Sequence, residues 1–599
     1  MMKINHKKLF GLATVALSAS ALMLSCTDGF DSINTYPYDD PIPVIGGGGA
    51  INTDDIDLPH PDSISDEKRA ELANNMSTIG QEFKKFTYEG LVNDYQRTTS
   101  LTHDIYAGYF ANNKLDFIVS SPNYVYTEDW SGRRWSHFYQ DRSKEYRTLA
   151  NTFWYVDHEA NRNAFYMTRI WYAFLASTMA DTYGDMPFGV YVQGLEPPTQ
   201  CPYNTQEQVY DMVFRMLTQA ADSIQPGACS FTFADREDKV FNGDEAKWVR
   251  FANSLRLRLA LRISNVDPER AEREAVAALK HPAGLMQSQD DNVETVPNYA
   301  PIDQGGEDAS GEENEVANCG FRYADVVMSL DMEQAYNNLI DKDAAMANFG
   351  DTIDPRCTIC WYRPTPKNFL EAGREMPNKQ YHGNAIGNNE FQTNATDVYS
   401  PLKVDHNNGK VLSDTHWFSY SRPYIWFGYA ELKFLLAEAT LRGWTDSYGS
   451  AEDLFREGIR ESFNYYHMAD KADAYISSLK IYNGEDNPFA GGDNEAQLEQ
   501  IITQKWLAIF PNGNEGWAEF RRTDYPRLNN HLNNRDANIP AGKFIKRIDY
   551  PGSETDYNAD NMPQGVNQGT RVWWDVQDTN NDNGERNATN NFRTSLIEQ

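Results

Sequence analysis

Basic residues are scarce in this chain: 54 Lys and Arg stand against 86 Asp and Glu, for a formal net charge of -32. A surface this acidic repels phosphate backbones, which argues against nucleic acid as a partner. Cysteine is also scarce, with 6 in 599 residues. Apart from Cys26, the cysteines are Cys201, Cys229, Cys319, Cys357 and Cys360, an odd number that leaves no complete disulfide framework. Cys357-Thr-Ile-Cys360 has the spacing of redox and zinc motifs, but no second such pair or paired histidines follow it. With Pro355 ahead of it, the segment reads as a short strand carrying structural thiols. Long apolar runs are missing after the first 24 residues, and a mean hydropathy of -0.65 describes a water-facing surface. Also absent are GxSxG, HExxH, a Walker loop, and GxGxxG after a strand. Asp and Glu are plentiful enough to supply a pair of carboxylates acting on a glycosidic bond. The reading is nevertheless of a binding protein, not an enzyme, with no cofactor and no metal.

What is present begins at the first residues. Lys3, Lys7 and Lys8 precede an apolar run from Leu9 to Leu24, and Leu24-Ser25-Cys26 follows. This is the pattern of a secretory signal, residues 1–25, ending in a lipobox. Cleavage leaves Cys26 as the lipidation site, and acyl chains on its thiol and amine suffice for stable anchoring. Residues 26–61 carry Pro, Asp and Gly47-Gly48-Gly49 and read as a flexible tether. No linker divides the rest, so 62–599 is expected to form one domain, with a mobile Asn- and Asp-rich end at about 576–599. Within that end, Asp578 to Gly584 imitates a calcium loop, but its glycine falls one place late and no Glu closes it.

Apolar spacings of three and four predict helices over 66–98, 135–160, 161–182, 205–225, 244–264, 268–280, 421–443, 451–467 and 495–511. The fold class is mainly α. Between about 285 and 420 this periodicity fades into Asn, Gly, Pro and Asp with scattered aromatics, an irregular insertion. In the 244–264 segment Trp248, Phe251, Leu255, Leu259 and Ile263 make one apolar stripe, with Asp244 as the N-cap. Arg262 projects onto the same side and therefore needs a buried acid. Glu438 lies on an apolar stripe of its own helix, so an Arg262–Glu438 structural pair is expected.

Several motifs occur together. They are Cys26-Thr-Asp-Gly-Phe, Ala180-Asp-Thr-Tyr-Gly-Asp-Met-Pro-Phe188, Phe241 to Ser264, Glu431 to Gly443, Gln504-Lys-Trp with Asn514-Glu-Gly-Trp and Arg521-Arg-Thr-Asp-Tyr-Pro526, Arg547-Ile-Asp-Tyr-Pro551, and Trp573-Trp574-Asp575. In this order, over nearly the whole chain, they resemble the SusD/RagB family of outer-membrane lipoproteins of the Bacteroidetes. The resemblance implies a SusD-like fold of four tetratricopeptide-like helix pairs with a loop-rich ligand-binding face, which is not a hydrolase scaffold. It also implies a partner, a SusC-like TonB-dependent transporter over which the lipoprotein sits as a lid. Asp28 and Asp31 look like the acidic signal for export to the cell exterior, although the family signal is often more compact.

The chain holds 34 Tyr, 30 Phe and 13 Trp. Trp135, Trp154, Trp171, Trp248 and Trp506 fall in helical patterns and read as packing between helices. Tyr124, Tyr126, Trp130, Trp361, Tyr362, Tyr381, His382 and Trp417 stand where no helical stripe runs. They are the candidate platform for an oligosaccharide, whose C–H faces suit exposed rings; the competing reading packs each ring beneath its own loop. Trp130 and Trp361 lead, having the largest ring faces. The function expected is glycan capture at the outer membrane. Peptide capture by the same architecture, or a mainly structural lid, are the alternatives.

Overall fold

The computed structural model describes residues 56–576, apart from 92–93, 114–119, 298–312, 373, 376–379, 389–394, 406–416, 481–488 and 490–493. The lipobox, most of the tether and the calcium-like loop lie outside the described residues.

Helices dominate, and their ends follow from side-chain caps. Thr205 and Gln208 form a capping box that starts Gln206–Ser223. Asp244 starts Glu245–Arg262 by accepting from the Lys247 N–H at 3.1 Å. Successive helices pack on one another: Ser143–Val156 on His158–Tyr183, Gln206–Ser223 on the latter, Glu245–Arg262 on Pro268–Lys280, and Tyr429–Leu441 on Ala451–Tyr465. Asn494–Ala508 and Gly513–Thr523 close the series. The core is contiguous and rich in indoles; Trp171, Trp248, Trp426, Trp506, Trp517 and Trp574 are all fully buried. No helix among the described residues is long and apolar enough to cross a membrane.

Four expectations are corrected. The 421–443 segment divides: Tyr424–Phe427 is a strand paired antiparallel with Val293–Thr295, and the helix begins only at Tyr429. Aromatic and β-branched Tyr-Ile-Trp-Phe between Pro423 and Gly428 favours the extended form. The CxxC segment is a helix, Pro355–Cys360, because Asp354 caps it and Pro355 occupies its first position. Its two thiols are buried, and the five cysteines described are free. The 66–98 segment breaks into Asp66–Ala73 and Ile79–Glu89.

The fourth correction is to the ion pair. The helices that carry Arg262 and Glu438 do pack, but Arg258 joins them, with Nε and Nη2 at 2.8 and 2.6 Å from Glu431. Arg262, one turn on, points instead at Gly513–Thr523, where it donates to Glu519 at 2.6 Å and Glu515 at 2.5 Å. Glu438 accepts two bonds from Arg522, both 2.7 Å, and one from Arg442. Lys505 bonds Glu515 at 2.7 Å and lies 3.2 Å from Glu519, which closes the lattice. The projection identified the face of each helix; it could not supply the third helix, Gly513–Thr523, whose Glu515, Glu519 and Arg522 take up both residues.

Candidate ligand-binding face

The 285–420 stretch, expected to be irregular, holds short helices at Leu330–Asn338, Lys342–Phe349 and Pro355–Cys360 among its loops and short strands. Phe110–Asn112 pairs antiparallel with Val326–Met328, and the Asn384 segment bridges to Ser329. Asn123 ties three stretches together, its amide donating to the carbonyls of Gly387, Leu532 and Asn533 at 3.1–3.2 Å. Gly387 has φ +77°, and a Cβ there would lie 2.1 Å from the Leu532 carbonyl oxygen, so only glycine fits. The segments at Asn123, Gly387 and Leu532 are therefore bonded to one another, although they lie far apart in the chain.

The candidate rings are sorted sharply by burial. Trp361 has no exposed surface: it meets the edge of Phe110 at 5.8 Å and tilts against Phe510 at 5.5 Å. Trp417 is covered by the Arg422 guanidinium, 3.0 Å from its ring centroid, and by Tyr465 and Tyr466. Tyr124 is buried and stacks on His531 at 4.5 Å. Burial lowers the His531 imidazole to about 4, so the stacked ring is neutral at pH 7. These three rings plug loops against the core and offer no face to a ligand.

Tyr362 and Tyr381 are buried as well, but they belong to a polar cluster. Lys403 lies 5.5 Å above Tyr362 and Arg363 5.4 Å above Tyr381. Both cations face Glu375, at 3.5 and 3.7 Å. Burial raises both phenols, which stay protonated. His382, beside Tyr381, is the exposed member: its side chain is 51% accessible and its ring tilts against Tyr399 at 5.4 Å. Nδ1 of His382 lies 3.1 Å from the Val398 carbonyl and Nε2 4.0 Å from Glu333.

Tyr126 and Trp130 are half-buried. Tyr126 donates to Glu128 at 2.8 Å, and Trp130 sits on the short helix Glu128–Ser131. The structure thus brings Tyr362, Tyr381 and His382 into one cluster, leaves Tyr126 and Trp130 half-buried around Glu128–Ser131, and places Tyr124, Trp361 and Trp417 in the interior. Sequence reading missed Tyr399, Arg363, Lys403 and Glu375, because nothing in a local pattern shows that residues so far apart share a face.

The family model described as Susd and RagB outer membrane lipoprotein matches residues 52–575. The chain belongs to the SusD-like family. Its fold is accordingly the SusD-like one, and its family is one of outer-membrane lipoproteins. A chitin-binding SusD homologue from Flavobacterium johnsoniae is similar at 26% identity, over 85% of this chain and 100% of that one, with a TM-score of 0.67. A SusD homologue from Bacteroides uniformis shares 26% identity over 84% and 99% of the two chains, TM-score 0.66. One from Parabacteroides distasonis, at 24% identity over 83% and 98%, shares the fold with a TM-score of 0.68. No curated protein sequence matches this chain.

Proposed function

We propose that this SusD-like lipoprotein captures an oligosaccharide on its loop-rich face at the cell exterior and delivers it to a SusC-like TonB-dependent transporter. The observation that carries the ligand class is the similarity to the chitin-binding homologue, which is matched over its whole length. The partly exposed rings of Trp130, Tyr126, His382 and Tyr399, with carboxylates and carboxamides alongside, are the chemistry that sugar recognition needs. The role is binding, not catalysis. The lid position and the transporter rest on family membership.

Calorimetry with a panel of oligosaccharides tests the site. Trp130→Ala and His382→Ala should each weaken binding about tenfold at unchanged melting temperature, the effect of losing one stacked ring worth about 1–1.5 kcal/mol. Trp361→Ala should instead lower the melting temperature, because its indole is part of the core. Unchanged affinity in both surface variants would remove this face from ligand binding, and saturable uptake of short peptides alone would favour peptide capture.

Attachment is proposed to run through the lipid on Cys26. Cys26→Ala should yield a folded protein that leaves the membrane fraction in cells lacking the transporter. Persistent membrane fractionation of that variant would contradict the proposal.

A further inference from the structure

A cavity of about 270 Å³ opens between the His158–Tyr183 helix, the first turn of Glu245–Arg262 and the loop over residues 225–243. It shares no residue with the loop-rich face. Its walls are more apolar than polar, with Met167, Phe231, Phe233 and Ala246 on the apolar side and Thr232, Asp244 and Glu245 on the polar one. Asp244 and Glu245 are the charged residues that line it, and both are acidic. Among the described residues neither forms an ion pair with Lys or Arg; the nearby Lys247 turns away to the Asp290 carbonyl.

The cavity is held open by bonds that do not depend on a ligand. Asn163, fully buried on the long helix, brackets Gln225, donating to its carbonyl at 2.7 Å and accepting from its N–H at 3.2 Å. Gly227 N–H donates to Glu245 Oε2 at 2.7 Å, and Phe231 N–H to the Ala160 carbonyl at 3.1 Å. Phe233 is fixed from behind by Phe83, stacked at 4.2 Å, and Phe231 meets it edge-on at 5.2 Å. Each carboxylate uses one oxygen on the backbone, Asp244 Oδ1 for the cap and Glu245 Oε2 for Gly227. The second oxygen of each is available to a donor.

A preformed cavity with aromatic and thioether walls selects an apolar body. Two carboxylates at its mouth, paired with no Lys or Arg among the described residues, favour positive charge over negative, although the positive end of their own helix offsets part of that preference. The strongly acidic chain adds a long-range attraction of the same sign. We propose that this cavity is a second binding site, for an organic cation that carries its charge on an apolar body, of the arylalkylammonium class. The ammonium reaches Asp244 and Glu245 while the hydrocarbon lies against Phe231, Phe233 and Met167.

The probe is phenethylamine, titrated calorimetrically into the full chain at pH 7, with phenethyl alcohol as its neutral counterpart. One-to-one binding of the amine is expected, at least tenfold tighter than the alcohol. The double variant Asp244→Asn with Glu245→Gln keeps the cap and the bond to Gly227, so it should keep its melting temperature and lose at least tenfold in amine affinity. Ala246→Phe, which fills the cavity, should abolish uptake. No saturable uptake by the wild type, equal affinity for amine and alcohol, or unchanged amine affinity in the double variant overturns the proposal. Displacement of the amine by an oligosaccharide would likewise overturn the ligand class, whereas loss of glycan binding at the loop-rich face would leave this result untouched.

Discussion

Arg262→Ala should destabilise the protein by about 3–5 kcal/mol, the range for removing one partner from a buried ion pair. The reason lies in what stays behind. Arg262 is wholly buried and faces Glu515, Glu519 and Asp181; without it, those buried carboxylates lose a shared positive charge that Lys505 beside the first two, and the Tyr210 and Trp574 hydrogen bonds to Asp181, replace only in part. Burial raises the carboxyls of Glu438, Glu515 and Glu519, but the neighbouring guanidiniums and Lys505 outweigh it and hold all three below the usual range. Acids held low contribute stability above their unfolded value, about 4.3, and lose it as the pH falls through the folded values. The deficit of Arg262→Ala relative to wild type should therefore be present at pH 7 and shrink toward acid pH. Denaturant unfolding at pH 7 and pH 3 measures both; an unchanged midpoint at pH 7 would show that the lattice does not support the helices.

Trp248→Ala should lower stability by about 3–5 kcal/mol as well, by a different route. Its indole has no exposed surface and lies against Phe83, Phe241 and Phe251. Truncation opens a cavity among rings that cannot collapse into it. It also removes the 2.8 Å bond from Nε1 to Asp238, a buried carboxylate that otherwise accepts from the N–H groups of Val240, Phe241 and Gly243. Trp248→Phe should recover most of the packing but not this bond, and fall between the two. Retained thermal stability with lost glycan affinity would instead make Trp248 a ligand residue.

The two residues differ in how far local sequence carried. Trp248 was legible because the stripe from Trp248 to Ile263 has one period, and a residue on an apolar stripe packs wherever its helix packs. Arg262 was legible only as far as its burial. Its acids come from Gly513–Thr523, a helix whose Glu515 and Glu519 lie a turn apart and fall within a motif rather than a strong apolar repeat. The same limit explains the rings. Trp361 and Trp417 lack a helical stripe, and on that ground alone they resemble Trp130; yet Trp361 is covered by Phe510, far along the chain, and Trp417 by Arg422, which a turn in its own segment folds back over the ring. His382 gained its neighbour Tyr399 in the same manner.

From the sequence alone came the mainly α class, the helices with a clean period, and the family, because each depends on residues close in the chain or on motifs in a set order. Which acid meets which base, which ring faces water, and that a cavity opens beside Asp244 and Glu245 were decided only by the tertiary structure. Burial and charge pairing depend on what the neighbouring element places within a few ångströms, and the order of residues along one helix carries no record of that neighbour.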